Sequence, residues 1–213
     1  MAGLLGVVSI TTTMGAFGTM VDDRTKKILK DFSASPVSRP SLAGGYILSS
    51  YCVGVIMSVV TLVLAEAYIV AYGGKLLDVV SILEVLGIML LSVLASSAMV
   101  LFMVSFFKSQ SAFATASTII GTLIGFLTGI YIPIGSLPSA VQTVIKIFPV
   151  SHAGALFRQV MMQKPLSETF ANIPADKLQS FKIDMGVVYQ YGNTTADALT
   201  SILVLAGTAV LFF

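Results

Sequence analysis

Few side chains in this chain of 213 residues have the types and neighbours that chemistry requires. His152, the single histidine, follows Ser151, and Asp176 and Asp184 lie further along the same segment, so the parts of a hydrolytic triad are present in one stretch. The same residues also read as a capped helix start, with Pro149 ending one helix and Ser151 accepting backbone N–H bonds at the head of the next, which runs on through Arg158. Gly73-Gly74-Lys75 lacks the earlier glycine and the following Ser or Thr of a Walker A phosphate loop, so nothing here is built to bind ATP. Cys52, the one cysteine, lies in an apolar run and excludes an intrachain disulfide and a cysteine-based metal site. Asn193-Thr194-Thr195 fits a glycosylation acceptor. Glu66 stands within an apolar stretch, where a carboxylate marks a pathway or an interface, or else reaches the hydrated boundary near Tyr72.

The elements that must position these groups are written in the hydropathy. Hydrophobic residues make up 56% of the chain and charged ones 10%, against about 25% charged in a soluble domain. With a mean hydropathy of +0.95, the bilayer is the only solvent that suits such a chain, which makes it an all-α, polytopic transmembrane helical bundle. The net charge of +2 is too small for a nucleic-acid partner. Five apolar stretches approach the length of about 20 residues that a span requires: about 3–21, 46–72, 82–106, 113–133 and 196–213. The first is no secretory signal, since no basic residue precedes it and Asp22, Asp23 and Arg24 stand where a cleavage site belongs. Gly121, Gly125 and Gly129 repeat at every fourth position, a spacing that predicts close helix packing on one face.

Lys and Arg in short loops set orientation. Residues 22–41 hold Arg24, Lys26, Lys27, Lys30 and Arg39, which places this loop in the cytoplasm; the turn near Lys75 then falls outside, the turn at Lys108 inside, and the long segment 134–195 outside. That outer segment reads as a polar loop in which Tyr189 and Tyr191 are interfacial aromatics. An odd number of spans would put the two ends on opposite sides, so a further helix is expected upstream and the chain is expected to be truncated at both ends.

Within the basic loop, Ile28, Leu29 and Phe32 recur among Lys26, Lys27, Lys30 and Asp31 in the one-sided pattern of an amphipathic helix, which Pro36 and Pro40 would end. Spacing alone leaves two readings open: a solvated loop that only sets topology, or a surface that docks a partner.

The order of these motifs resembles the membrane subunits of ABC-2 type transporters, of the daunorubicin and multidrug-resistance kind. Asp22-Asp23-Arg24, the amphipathic stretch, Ser35-Pro36-Val37-Ser38-Arg39 and Gly44-Gly45 carry the resemblance at one end. Gly129 and Pro133, then Leu137-Pro138, then Phe148-Pro149-Val150-Ser151-His152 and Arg158 carry it at the other and look like that family's outer re-entrant hairpin. One departure is that the family usually places a glycine a few positions after its acidic-Arg element, where this chain has Thr25, Lys26 and Lys27.

The resemblance implies six spans in the full subunit and a multi-pass protein of the cell membrane that works as the permease of an exporter. It implies a coupling helix, assigned to Asp22, Asp23, Arg24, Lys27, Ile28, Leu29 and Phe32, that docks on a separate ATP-binding subunit. ATP and Mg would be bound by that partner, and a second permease copy or a homologous permease would complete the pathway. Phe102, Met103, Phe106 and Phe126 would suit an apolar pathway, and equally a lipid-facing surface. A different class of function, a membrane-embedded enzyme or assembly scaffold with its site in the outer loop, is the alternative.

Overall fold

An apolar run inside a bilayer can satisfy its backbone by helical hydrogen bonding alone, because no water competes for the peptide groups. The computed structural model, which describes residues 1–28, 38–171, 173–192 and 194–212, resolves this requirement into four helices long and apolar enough to cross a membrane: α1 (Ala2–Thr25), α2 (Arg39–Ala71), α3 (Val79–Ser105) and α4 (Gln110–Leu127). A single 3-10 turn (Ile134–Ser136) leads to α5 (Ser139–Ile147) and α6 (Pro149–Met161), a pair bent by 87°. Two short helices, α7 (Gln163–Thr169) and α8 (Ala175–Asp184), and a two-residue antiparallel ladder, Gln190–Tyr191 against Thr194–Thr195, then precede α9 (Ala198–Phe212). Among the described residues the fold is all-helical apart from that ladder.

Several boundaries differ from the sequence expectation, each for a local reason. The first span does not end at residue 21: α1 carries Asp22, Asp23 and Arg24 in its last turn. The second begins at Arg39 rather than 46, because the Ser38 hydroxyl accepts the Ser41 N–H at 3.3 Å and Pro40 sits in the first turn, where its missing N–H costs nothing. Pro40 therefore opens α2. At 33 residues α2 is about 50 Å long, well beyond a hydrocarbon core of about 30 Å.

The fourth span stops at Leu127 rather than 133 because Gly129 takes φ +66°, and Gly129 N–H and Ile130 N–H close back on Phe126 and Gly125 carbonyls at 3.0 Å each. The spaced glycines are thus not one packing face. Gly121 faces open space, Gly125 lies under the Tyr131 ring, and Gly129 lies past the helix end.

Helix contact runs through other small residues. α1 is central and packs on α2, α3, α4 and α6, while α9 packs on α3 and α6. Where α1, α2 and α3 meet, Ser50 Oγ donates to the Thr13 carbonyl at 3.2 Å and takes a long bond of 3.5 Å from Ser97. A Cβ at Gly54 would lie 2.6 Å from Val93 Cγ1 and 3.0 Å from Thr13 Cγ2. Around this crossing Leu62, Val85, Met89, Val93, Leu156, Phe157 and Leu205 form one apolar core, and Ile10, Met14, Phe17, Val100, Val104 and Phe113 form a second.

Gly54→Val should therefore lower the unfolding free energy by about 1–3 kcal/mol through overpacking. Gly44→Ala, at a position with nothing within 4 Å, should stay within about 0.5 kcal/mol of wild type. Thermal unfolding of the two detergent-solubilised variants side by side measures both.

Candidate functional sites at the two ends of the bundle

At the basic end, the Asp22-Asp23-Arg24 group is spent mostly on internal ties. The Tyr46 hydroxyl of α2 donates to Asp23 Oδ2 at 2.5 Å. Arg24 Nη1 donates to the Phe107 carbonyl just past α3 at 3.2 Å. Asp22 pairs with Lys26 at 2.6 Å, and this hydrogen bond raises the Lys26 pKa above the ordinary lysine value. All three motif residues are half-buried, whereas Thr25, Lys26 and Lys27 are exposed. Three long helices are thereby locked together directly beneath an exposed basic strip.

Lys27 itself takes φ +63°, and among the described residues it alone adopts a positive φ without being glycine. Its N–H and that of Ile28 close on the Arg24 and Asp23 carbonyls at 3.3 and 3.0 Å, the turn that glycine normally makes at a helix C-terminus. A lysine thus occupies a conformation that favours glycine, within the stretch 25–27 that follows the acidic-Arg element. Ile28 is half-buried in this turn, and Leu29, Phe32, Ser35 and Pro36 lie outside the described residues, so the amphipathic helix assigned to them does too.

At the opposite end the family-motif prolines each open a helical turn. Pro133 precedes the 3-10 turn, Pro138 precedes α5, and Pro149 is the first residue of α6. The break between α5 and α6 frees the last carbonyls of α5, and side chains take them up. The Ser151 hydroxyl donates to the Ile145 and Phe148 carbonyls, His152 Nε2 to the Lys146 carbonyl at 2.9 Å, and the Tyr191 hydroxyl to the same Lys146 carbonyl at 2.7 Å. With Nε2 donating, His152 Nδ1 accepts from Ser201 of α9 at 3.0 Å.

Ser151 and His152 are buried and turned to different partners, so they do not form a nucleophile–base pair. Nor does Ser151 cap N–H groups as its position after Pro149 implies; it donates backwards to carbonyls. Asp184 packs at Gly135, away from His152, and Asp176 starts α8.

Arg158, on the following turns of α6, is 7% exposed. Its Nη2 donates to the Thr128 carbonyl at the end of α4, and its Nη1 to the Gly186 carbonyl after α8 at 3.2 Å. Both acceptors sit at helix C-termini, where a cation is favoured. Tyr189 is 2% exposed and donates to the Ser151 carbonyl at 2.9 Å, so it is a core residue of this end and not an interfacial aromatic; the segment 134–195 is a folded cap rather than a polar loop. The sequence held one signal of this, the density of prolines and the lone buried-type Arg158 in an apolar helix.

Glu66 Oε2 accepts the Leu77 N–H at 3.1 Å, which ties α2 to the turn before α3, while Oε1 is buried without a partner among the described residues. In that turn Asp78 pairs with Lys164 at 2.9 Å, and hydrogen bonds from Lys164 and Ser81 hold its carboxyl below the usual range. The proposed pathway aromatics point outward: Phe102, Phe106 and Phe126 are exposed, and Phe102 and Met103 border an apolar cleft of about 380 Å³ with Met14, Leu123 and Phe148. Asn193 lies outside the described residues.

Comparison with known proteins bears on the whole chain. The model of the ABC-2 family transporter protein matches residues 1–213. Nodulation protein J of Rhizobium meliloti (strain 1021) is 30% identical over 96 residues, 45% of this chain; the match spans 37% of that relative's length. No solved structure matches.

Two substitutions test these ends. Arg158→Met leaves two buried carbonyls without a donor, at about 1–3 kcal/mol each, and should lower the thermal midpoint sharply. Lys27→Gly relieves a left-handed side-chain conformation worth about 1 kcal/mol, less the chain entropy that glycine adds; its midpoint should hold or rise, and a fall would mean that the lysine side chain itself supports the turn.

Proposed function

We propose, from the premise that this chain belongs to the ABC-2 family of transporter proteins and crosses the cell membrane several times, that it is the permease of an ATP-driven exporter. It forms part of the translocation pathway and couples to a separate ATP-binding subunit, which holds ATP and Mg. The observation that carries this reading is the tie of α1, α2 and α3 through Asp23–Tyr46 and Arg24–Phe107 beside the exposed Lys26 and Lys27. A partner that pushes on the basic strip moves three spans together, since each is hydrogen-bonded to the strip's base. Ile28 and the stretch that includes Leu29 and Phe32 supply the apolar part of the contact, and the lysines orient it.

A second permease copy, or a homologous permease, completes the pathway. Support comes from α4, of which only 17% is buried within the chain, and whose exposed face carries the small residues Thr115, Thr118 and Thr122, each hydroxyl closed on its own helix, a surface that lets another helix approach closely. Glu66 stands at the opposite end as a positioning group for the Leu77 turn.

Exchanging the charges of Asp23 and Arg24 would break internal bonds as well as any docking surface. Lys26→Glu with Lys27→Glu reverses the exposed strip and leaves those two ties in place. In a pull-down of the full-length protein with its candidate ATP-binding subunit, this variant should bind about tenfold more weakly at an unchanged thermal midpoint, whereas Arg24→Ala should lose both binding and stability. Equal capture of the ATPase by wild type and the double variant would sink the coupling role. Glu66→Gln keeps an acceptor for Leu77 N–H, so its transport rate should match wild type if the carboxylate only positions that turn.

A further inference from the structure

The turn between α2 and α3 is fastened to the cap by charge. Gly73, at φ +82°, and Gly74 close the end of α2 on the Val70 and Ile69 carbonyls at 3.0 and 2.8 Å. Residues 75–78 then run outside any helix or strand, and no residue of 71–80 is buried. Glu66 ties the Leu77 N–H back to α2. Two ion pairs cross to α7: Lys75 to Glu168 at 3.4 Å, and Lys164 to Asp78 at 2.9 Å. Among the described residues these are the only ion pairs or side-chain hydrogen bonds between the turn and α7, and α7 buries one side chain, Leu166.

The two pairs run in opposite senses. The turn offers a cation and, three residues on, an anion; α7 offers a cation and, four residues on along the same face, an anion. Docked the other way round, Lys75 would meet Lys164 and Asp78 would meet Glu168, so the charge pattern admits one register. All four side chains are open to solvent, from Asp78 at 40% to Lys75 at 87% exposed. An exposed pair favours its closed form only about threefold, and two of them about tenfold. A turn without a buried anchor, held by that much, stays closed most of the time and opens without unfolding either helix. We propose that these pairs form a releasable latch, which clips the α2–α3 turn to α7 in one register and, when open, lets the two spans shift against the cap. For an exporter, such a shift at the end away from the ATPase releases cargo; that consequence rests on the permease reading, whereas the latch itself does not.

A distance measurement on the full-length protein in nanodiscs tests it. Spin labels go on Leu76→Cys in the turn and Thr169→Cys at the end of α7, both exposed, in a Cys52→Ser background because the native thiol is exposed too. Pulsed electron–electron resonance at low salt should show a dominant short distance and a minor long one. Lys164→Glu or Glu168→Lys sets like charges face to face and should raise the long-to-short ratio about tenfold. Lys75→Glu combined with Glu168→Lys remakes the pair with its charges exchanged and should return the ratio to wild type. Salt at about 1 M, where screening acts within about 3 Å, should move the wild type the same way as the single reversals. A thermal midpoint equal to wild type verifies that each variant is folded. A ratio that neither reversal moves, or that the exchange fails to restore, overturns the latch. Failure of the wild type to capture an ATP-binding subunit counts against the permease reading alone.

Discussion

A carbonyl freed where a helix is broken needs a new donor, and the folded cap of this protein is arranged around that constraint. The α5–α6 break leaves the Lys146 carbonyl to His152 and Tyr191, while the Ile145 and Phe148 carbonyls, which accept the Phe148 and Ser151 N–H groups at 3.2 Å each, also take the Ser151 hydroxyl. Arg158 does the same for α4 and α8 at once, reaching acceptors at Thr128 and Gly186. An unpaired buried peptide group costs about 1–3 kcal/mol, so these donors stabilise the 87° bend. With them, α6 returns into the bundle and places Ala153, Leu156 and Phe157 in the core beside α1, α3 and α9.

The basic end solves a different problem with the same means. Charges brought to a helix terminus usually face water, but Asp23 and Arg24 are committed to Tyr46 and Phe107 on neighbouring spans. Their half-buried ties leave Lys26 and Lys27 among the exposed charges of this end and join three separate helix ends. A rigid base of this kind suits the proposed coupling, because a docked partner needs a lever and not a hinge. The left-handed turn at Lys27 sets the direction in which the chain leaves that base.

Polar groups therefore divide by depth. Among the described residues most span hydroxyls close on their own helix, as Ser9 and Thr13 do on Leu5 and Ser9 carbonyls at 2.8 and 2.9 Å, and Ser50 and Ser97 reach across at the α1–α2–α3 crossing. At the ends they reach across freely. Hydrogen bonds between elements thus gather at the two rims, with smaller residues letting the helices approach between them.

Sequence alone determined what depends on near neighbours. Run length and hydropathy are local properties, so the all-α membrane bundle, four of its spans to within a few turns and its family were legible, as were the prolines that open each turn of the cap. What only the tertiary structure decided is which groups meet. Tyr189 reads as interfacial until its hydroxyl is found on Ser151, 38 residues away, and nothing in the sequence pairs Arg24 with the Phe107 carbonyl, 83 residues away. Gly121, Gly125 and Gly129 have the spacing of a packing face, yet the helix ends before the third because the chain turns left-handed there. A hydrogen bond is made with whatever the folded chain brings within about 3 Å, and spacing along the sequence carries no record of that neighbour.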